Sequence, residues 1–402
     1  MEFAGKHFLL IVENEAVPFD RRVWLQALTL KRAGANVSAI CPIFGKDNKK
    51  RETLEGIDIF RYKMPFSNGS KSGYFKEYFT ALVKTLLLFH KVLFKKGKFD
   101  VIHVANPPDI FWPLAIYSKA FGSKFIFDEH DLAPETYLSR FENNSTEGFI
   151  TKFLKLNQFL SYKYADAVIS TNLTYENEVM RIYPQINGKV FIVRNGPDLE
   201  KVVIYNPNPE LKKGKKYLFG FIGVMAVQDG VDYIIKAIDY LVKEEHFDDF
   251  IVYLIGSGDD LPRLKNMVNE LKLNEYIIFT GRIPDKPAFE ILSTADVCLS
   301  PDPYNPLNDK STMTKVMEYM ALAKPIVSFD LKEARYSAQD SALYVENNNP
   351  KAFAKGILCL LKDPPASSEM GRKGRKRVLE QLSWEIQSKQ LISTYRFALN
   401  KN

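Results

Sequence analysis

The sequence predicts an α/β protein made of two parallel-sheet domains, and three observations carry that reading. Short apolar runs alternate with amphipathic helical segments. The pattern breaks once, at a stretch rich in Pro, Asn and Lys, and then restarts. The chain has 402 residues, too many for one ordinary domain and enough for two.

In the first half, strands are expected at 7–12, 36–41, 99–104, 124–128, 166–170 and 189–193, with a helix at 21–33 closed by Gly34. The runs are continuous rather than alternating, as in parallel strands covered on both faces. NPNPELKKGKK at 206–216 has the composition of a linker. Strands are expected again at 217–223, 250–256, 276–281, 296–301, 325–329 and 342–345, with a helix from about Asp232. The expected division is 1–205, 206–382 and a terminal helix over 383–402. Two Rossmann-like domains of this kind place ligands beyond the carboxyl ends of their strands, in a cleft.

A hydrophobic share of 46% with 26% charged residues excludes a disordered or fibrous chain. Cys41, Cys298 and Cys359 match no zinc or CxxC spacing and are expected to be buried free thiols in a reducing compartment. MEFAGKHFLLIVENE reads as a strand and loop, not a secretory leader, and no apolar run is long enough to span a membrane, so a cytoplasmic location is expected.

The net charge of +7 is concentrated in residues 71–98, which hold seven lysines against Glu77. There Tyr74, Phe75, Tyr78, Phe79, Leu82, Leu86, Phe89 and Leu93 recur at helical spacing. Two readings stay open: a packing helix with a solvated lysine face, or an interfacial helix on anionic lipid with Lys76, Lys84, Lys91, Lys95 and Lys96 at the surface. A second basic and aromatic stretch, Phe149 to Tyr164, favours the membrane surface. No nucleic-acid-binding module accompanies the lysines, so nucleic acid is not an expected partner.

Four strand ends carry candidate chemistry. In FDEHD, His130 is flanked by carboxylates and can donate a hydrogen bond, with Asp131 beside it; His103, also at a strand end, reads as structural. In FIGVMAVQDGVD, Gly223 allows close approach of backbone to a ligand. In NDKSTMTKVMEYMALAKPIV, Asp309 or Ser311 is expected to cap a helix starting near Thr312. The amides of Thr312, Met313 and Thr314 would then suit a diphosphate, beside Lys310 and Ser311. Lys315 and Glu318 share one face of that helix, a cation and then a carboxylate for phosphates followed by a ribose. In TGRIP, backbone at Arg282 and Ile283 can edge a base. Arg21 and Arg22, at a helix start after the first strand, and Asp131 are candidate acceptor-side contacts.

Together these segments resemble the retaining glycosyltransferase family 4, the group 1 glycosyltransferases of GT-B fold. The resemblance runs through DRRVWLQALTLKRAGANV, FDVIHV, FDEHD, ADAVIS, VRNGPD, FIGVM, FTGRI and MEYMALAKPIVS, and ends at Ser383, Trp384 and Tyr395 on the terminal helix. It implies transfer of a sugar, with retention, from a UDP- or GDP-sugar to a glycan or polyprenyl- or lipid-linked acceptor, in cell-envelope polysaccharide or glycoconjugate synthesis. It implies no cofactor and no bound metal, and work in the cytoplasm or at the inner face of the cell membrane. By resemblance, Glu318 and His130 are the catalytic residues, Glu318 binding the ribose hydroxyls and His130 contacting the donor sugar and stabilising charge near the reacting centre, and the amides of Thr312–Thr314 hold the diphosphate. Lys310 stands where the family has a glutamate, Val224 where it has a basic residue, and Asp229 where it has a lysine. Lys315, with Lys310 or Arg282, is therefore expected to supply the missing positive charge. Those departures keep a catalytically silent sugar-nucleotide-binding scaffold in view; a sugar-nucleotide epimerase would need an acid–base carboxylate pair that the sequence does not show.

Overall fold

The structure is a computed structural model. It describes residues 1–43, 49–64, 71–141 and 148–401, the side chains of 71–75 and 138–141 excepted. The chain forms two units, Met1–Arg194 with Gln387–Asn402, and Asn195–Ile386.

The first unit begins with β1 (His7–Ile11), α1 (Arg21–Arg32), β2 (Asn36–Pro42), β3 (Arg51–Leu54) and β4 (Ile57–Tyr62). It continues through α2 (Lys71–Lys96), β5 (Val101–Ala105), α3 (Trp112–Lys119) and β6 (Lys124–Glu129). The helices α4 (Ala133–Phe141) and α5 (Phe149–Tyr164) lead to β7 (Ala167–Ser170), α6 (Leu173–Ile182) and β8 (Val190–Ile192). The sheet runs β3-β4-β2-β1-β5-β6-β7-β8, parallel except for the β3–β4 hairpin. Strand order reverses between β1 and β5, so the carboxyl ends of β1, β5 and β6 flank a topological switch point. Residues of α2, α3, α5 and α6 share one core with Leu9, Ile11, Phe125 and Phe127, which places those helices in one layer. On the other face Phe8 packs against Tyr395 of the terminal helix.

The second unit contains β9 (Tyr217–Ile222), α7 (Val231–Lys243), β10 (Phe250–Ile255), α8 (Leu261–Glu270) and β11 (Ile277–Gly281). Then follow α9 (Asp285–Thr294), β12 (Val297–Ser300), α10 (Thr314–Ala321), β13 (Ile326–Phe329) and α11 (Lys332–Ala338). It closes with β14 (Ala342–Val345), α12 (Pro350–Lys362), α13 (Pro364–Arg377) and the start of α14 (Trp384–Asn400). Its wholly parallel sheet runs β11-β10-β9-β12-β13-β14, with the reversal between β9 and β12.

Four expectations need correction. The expected boundary at residue 205 lies at Arg194, and the 206–216 stretch is docked rather than linking: the Tyr205 and Asn208 amides donate to Ser293 and Thr294, and Lys212 pairs with Asp296. The β3–β4 hairpin was not expected; Glu55 and Gly56 both take positive φ, the two-residue turn that matches strand twist. Cys41 and Cys298 are buried, but Cys359 on α12 is exposed. On α2 the expected apolar stripe faces inward: Phe89 is in the core, with Tyr78, Leu82, Leu86 and Leu93 packed against it. Phe79 from that stripe is exposed, and the side chains of Tyr74 and Phe75 lie outside the described residues.

Candidate active site

In the first unit the site grows from Asp128, near the end of β6 and wholly buried. Its Oδ2 accepts from Gln26 Nε2 at 2.6 Å, and Arg22 reaches both oxygens, with Nη2 at 2.7 Å and Nε at 3.2 Å. The Nε2 atoms of His130 and His103 lie at 3.0 and 3.2 Å from Oδ2. Burial alone would raise this carboxyl, but the charge of Arg22 and the hydrogen bonds of both histidines outweigh it and hold Asp128 well below the usual carboxylate range. An ionised carboxylate only accepts, so both histidines donate through Nε2. His103 Nδ1 then accepts from the Tyr395 hydroxyl at 2.8 Å, which ties the terminal helix to the same carboxylate.

His130 is thereby fixed at both ends. Its ring rests on Asp128, and its amide donates to Asn106 Oδ1 at 2.6 Å. Asn106 also accepts from the Asp131 amide and donates to the Asp131 carbonyl and to Asp109 Oδ1. Two further acids lie behind this turn. Burial pushes the Asp109 carboxyl up to about 7, and burial with the neighbouring charges of Asp109 and Glu135 pushes Glu129 well above its usual range despite the Tyr162 hydroxyl bonded to it.

Arg22 is therefore not an acceptor contact. It is buried, and its Nη1 donates to the Val193 carbonyl at 2.8 Å. Arg21, its neighbour at the start of α1, is exposed. His103 is buried and structural, as expected; its bond to Tyr395 and the role of Asn106 as a hub were not anticipated. Asn106 sits in the Asn-Pro-Pro sequence after β5, where a polar residue at a strand end was the available signal.

In the second unit, Gly223 follows β9 and its backbone is pressed against Gly256, where a Cβ would lie 1.9 Å from the Gly223 carbonyl oxygen; Gly256 also has φ +134. The expected helix begins two residues later, with Thr314 and Lys315 first and Met313 as N-cap, whose own side chain makes no capping hydrogen bond. The N-cap position is thus neither Asp309 nor Ser311. Asp309 accepts from the Lys332 amide at the start of α11, and Ser311 donates back to the Leu307 carbonyl. Thr312 donates to Glu333 at 3.3 Å, so the 308–312 loop is fastened to α11.

Lys315 turns away from Glu318. Its Nζ is buried against Asp302 Oδ1 at 2.5 Å and lies 5.2 Å above the centre of the Phe221 ring. A buried cation is held where a carboxylate neutralises it, so the expected relocation of positive charge to Lys315 does not occur. Glu318 remains half-exposed one turn into α10, as does Lys310 in the loop before it; Arg282 is exposed after β11, and Ile283 packs against the core. Val224 is exposed, and Asp229 accepts from the Ala226 amide to close its own turn. His130 belongs to the first unit and Glu318 to the second.

Residues 20–201 match the family described as Glycosyltransferase Family 4, and residues 216–363 match Glycosyl transferases group 1. The chain belongs to this family. It is 26% identical over 254 residues to alpha-maltose-1-phosphate synthase of Mycolicibacterium smegmatis, an alignment covering 58% of this chain and 63% of that protein. The chain thus spans less than two thirds of the curated relatives' length. Among solved structures, sucrose-phosphate synthase from Thermosynechococcus elongatus superposes with a TM-score of 0.76 at 18% identity, over 97% of this chain and 98% of that one. HepE from Anabaena, solved in complex with UDP and glucose, gives 0.69 at 13% identity over 97% of this chain and 99% of that one. These likenesses show the GT-B fold: two parallel-sheet α/β domains.

Two outcomes follow from the buried acids of the first unit. Arg22→Met leaves Asp128 buried without its main cation and lowers unfolding stability by about 3–5 kcal/mol in urea titration. Arg22→Lys recovers less than half, because an ammonium cannot span both oxygens; a loss below about 1 kcal/mol for the Met variant would contradict the buried ion pair. Asp109 keeps its proton in the folded chain while the unfolded chain loses it near 3.8. Its contribution is therefore complete below that value and is lost as pH rises toward about 7. Thermal unfolding of Asp109→Asn between those two pH values shows a shallower fall in stability than the parent; equal slopes would refute the raised carboxyl.

Proposed function

We propose that this chain is a retaining, metal-independent glycosyltransferase that moves a sugar from a UDP- or GDP-sugar to a glycan or lipid-linked acceptor in cell-envelope polysaccharide or glycoconjugate synthesis. The observation that carries the reading is the half-exposed Glu318 one turn into α10, beyond the β9/β12 switch point where the strand ends, Gly223 and the start of the helix lie together. Amides at the start of α10 suit a diphosphate, and a carboxylate one turn on suits a ribose diol. UDP in the HepE structure is consistent with this donor class.

In the transfer, the bond from the anomeric carbon to the diphosphate oxygen breaks, and that carbon bonds to the acceptor oxygen on the same face. The departing phosphate oxygen takes the acceptor proton, so no enzymic nucleophile is needed. Donors aimed at that phosphate lower the barrier because negative charge grows there. His130, held by Asp128 and Asn106, is the residue assigned to the donor sugar. We place the work on the cytoplasmic side, peripheral to the membrane.

A second reading has its own observation. Lys315 is neutralised by Asp302, Val224 carries no charge and Asp229 is acidic, so the leaving group has fewer cations than the family pattern supplies. A silent sugar-nucleotide-binding scaffold would tolerate this. One experiment separates the two: thermal shift and donor hydrolysis against UDP- and GDP-sugars, with and without EDTA. The transferase reading expects a shift with one donor, insensitive to EDTA, with slow hydrolysis, and a loss of about tenfold to hundredfold in donor affinity for Glu318→Ala. Binding without hydrolysis would favour the scaffold, and no binding of any nucleotide sugar would defeat both.

A further inference from the structure

Helix α2 is apolar on two faces. With Phe89 in the core and Tyr78, Leu82, Leu86 and Leu93 packed against it, a second stripe of Phe79, Val83, Leu87 and Phe94 points outward, with Phe94 88%, Leu87 68% and Phe79 61% exposed. At about 1.5 Å per residue that stripe runs about 22 Å. The fold gives it no partner among the described residues, and Leu or Phe at such exposure is uncommon on a surface in a continuous row.

The neighbouring helices extend the stripe. Tyr117 of α3 lies against Phe89 and His90 of α2, and Trp112 of α3 donates to Asn157 of α5. On α5, Phe149 is 86% exposed, with Phe153 and Leu156 following at helical spacing on the same side; Phe121 beyond α3 is half-exposed. The three helices carry ten lysines and one acidic residue, Glu77. Lys76, Lys91, Lys95 and Lys152 are exposed, Lys84 is half-buried, and Lys96 pairs with Asp58. No helix among the described residues is long and apolar enough to cross a membrane.

We infer that the outward layer of α2, α3 and α5 docks on an anionic lipid bilayer, with Phe79, Leu87, Phe94 and Phe149 at headgroup depth and the lysines over the phosphates. Charge complementarity selects this occupant: Lys96 pairs with Asp58 and Lys119 with Asp166, but Lys76, Lys91, Lys95 and Lys152 are exposed on helices whose one acid is Glu77, which suits a negative surface, and a second copy of the same face would set lysines against lysines. Aromatic and leucine side chains interleaved with lysines along a helix match an interfacial element lying in the bilayer plane. The inference rests on the proposed transferase reading in one respect, that a lipid-linked acceptor would be met at this surface.

The test is co-sedimentation of the full chain with phosphatidylcholine vesicles, with and without phosphatidylglycerol, alongside its thermal shift with nucleotide sugars. The chain is expected in the pellet with phosphatidylglycerol and in the supernatant with phosphatidylcholine alone. Leu87→Ser/Phe94→Ser weakens binding by at least about tenfold, and Lys91→Gln with Lys95→Gln by about fivefold for each lysine. Unfolding temperatures close to the parent's are the folding control for these exposed positions. The inference is overturned if the parent ignores anionic vesicles, or if the apolar variant binds as well as the parent. A lipid-free dimer split by the same substitutions would also overturn it and assign the face to a second copy. Vesicle binding without any nucleotide-sugar shift would sink the transferase reading and leave the docking face standing.

Discussion

Moving the Asp128 carboxylate from water into the interior costs several kcal/mol unless its charge is matched, and much of the first unit is arranged around matching it. Arg22 and Gln26 come from α1, His103 from β5 and His130 from the turn after β6. The same arginine holds the Val193 carbonyl after β8, and the same histidine holds Tyr395 on the terminal helix. One ionised oxygen pair therefore joins the first helix, the middle of the sheet, its far edge and the last helix of the chain. His130 is the member of this set most open to solvent, 12% exposed, so the network sets the position of the side chain that the proposed function assigns to the donor sugar.

The second unit solves a different problem, close approach. The Gly223 and Gly256 backbones meet with no room for a side chain, and Gly230 similarly abuts the Pro301 carbonyl. This brings the ends of β9, β10 and β12 together at the switch point and leaves Lys315 facing Asp302 across it. The resulting floor is neutral rather than cationic, and Glu318 stands at its edge as the half-exposed carboxylate of α10. Under the proposed donor binding, the groups left to face a phosphate are the amides at the start of α10 rather than Lys315, whose charge is matched by Asp302.

Much of this was legible in the sequence because parallel strands are written as uninterrupted apolar runs, and the strands so marked in both halves are present. The β3–β4 hairpin was not legible: its turn is Glu55-Gly56 rather than the usual Asn-Gly, and RETL is too polar to read as a strand. His130 and Glu318 could be singled out because strand ends and helix starts are local features. Arg22, Lys315 and Asp309 were assigned the wrong partners because their true partners lie 106, 13 and 23 residues away, and no local pattern encodes which carboxylate a buried cation meets. The two faces of α2 were confounded for a related reason: helical spacing reports that apolar residues share a side, not whether that side meets a core or a membrane.

The central claim is that an ionised Asp128 acts through His130. A double-substitution cycle of Asp128→Asn and His130→Ala, read as donor hydrolysis by folded protein, tests it most directly. The account predicts that each single change slows hydrolysis by a similar factor, on the order of a hundredfold, and that the double variant is no slower than either. Multiplying losses, or an Asp128→Asn variant at full rate, would show that the buried carboxylate and the histidine act independently and would contradict the account.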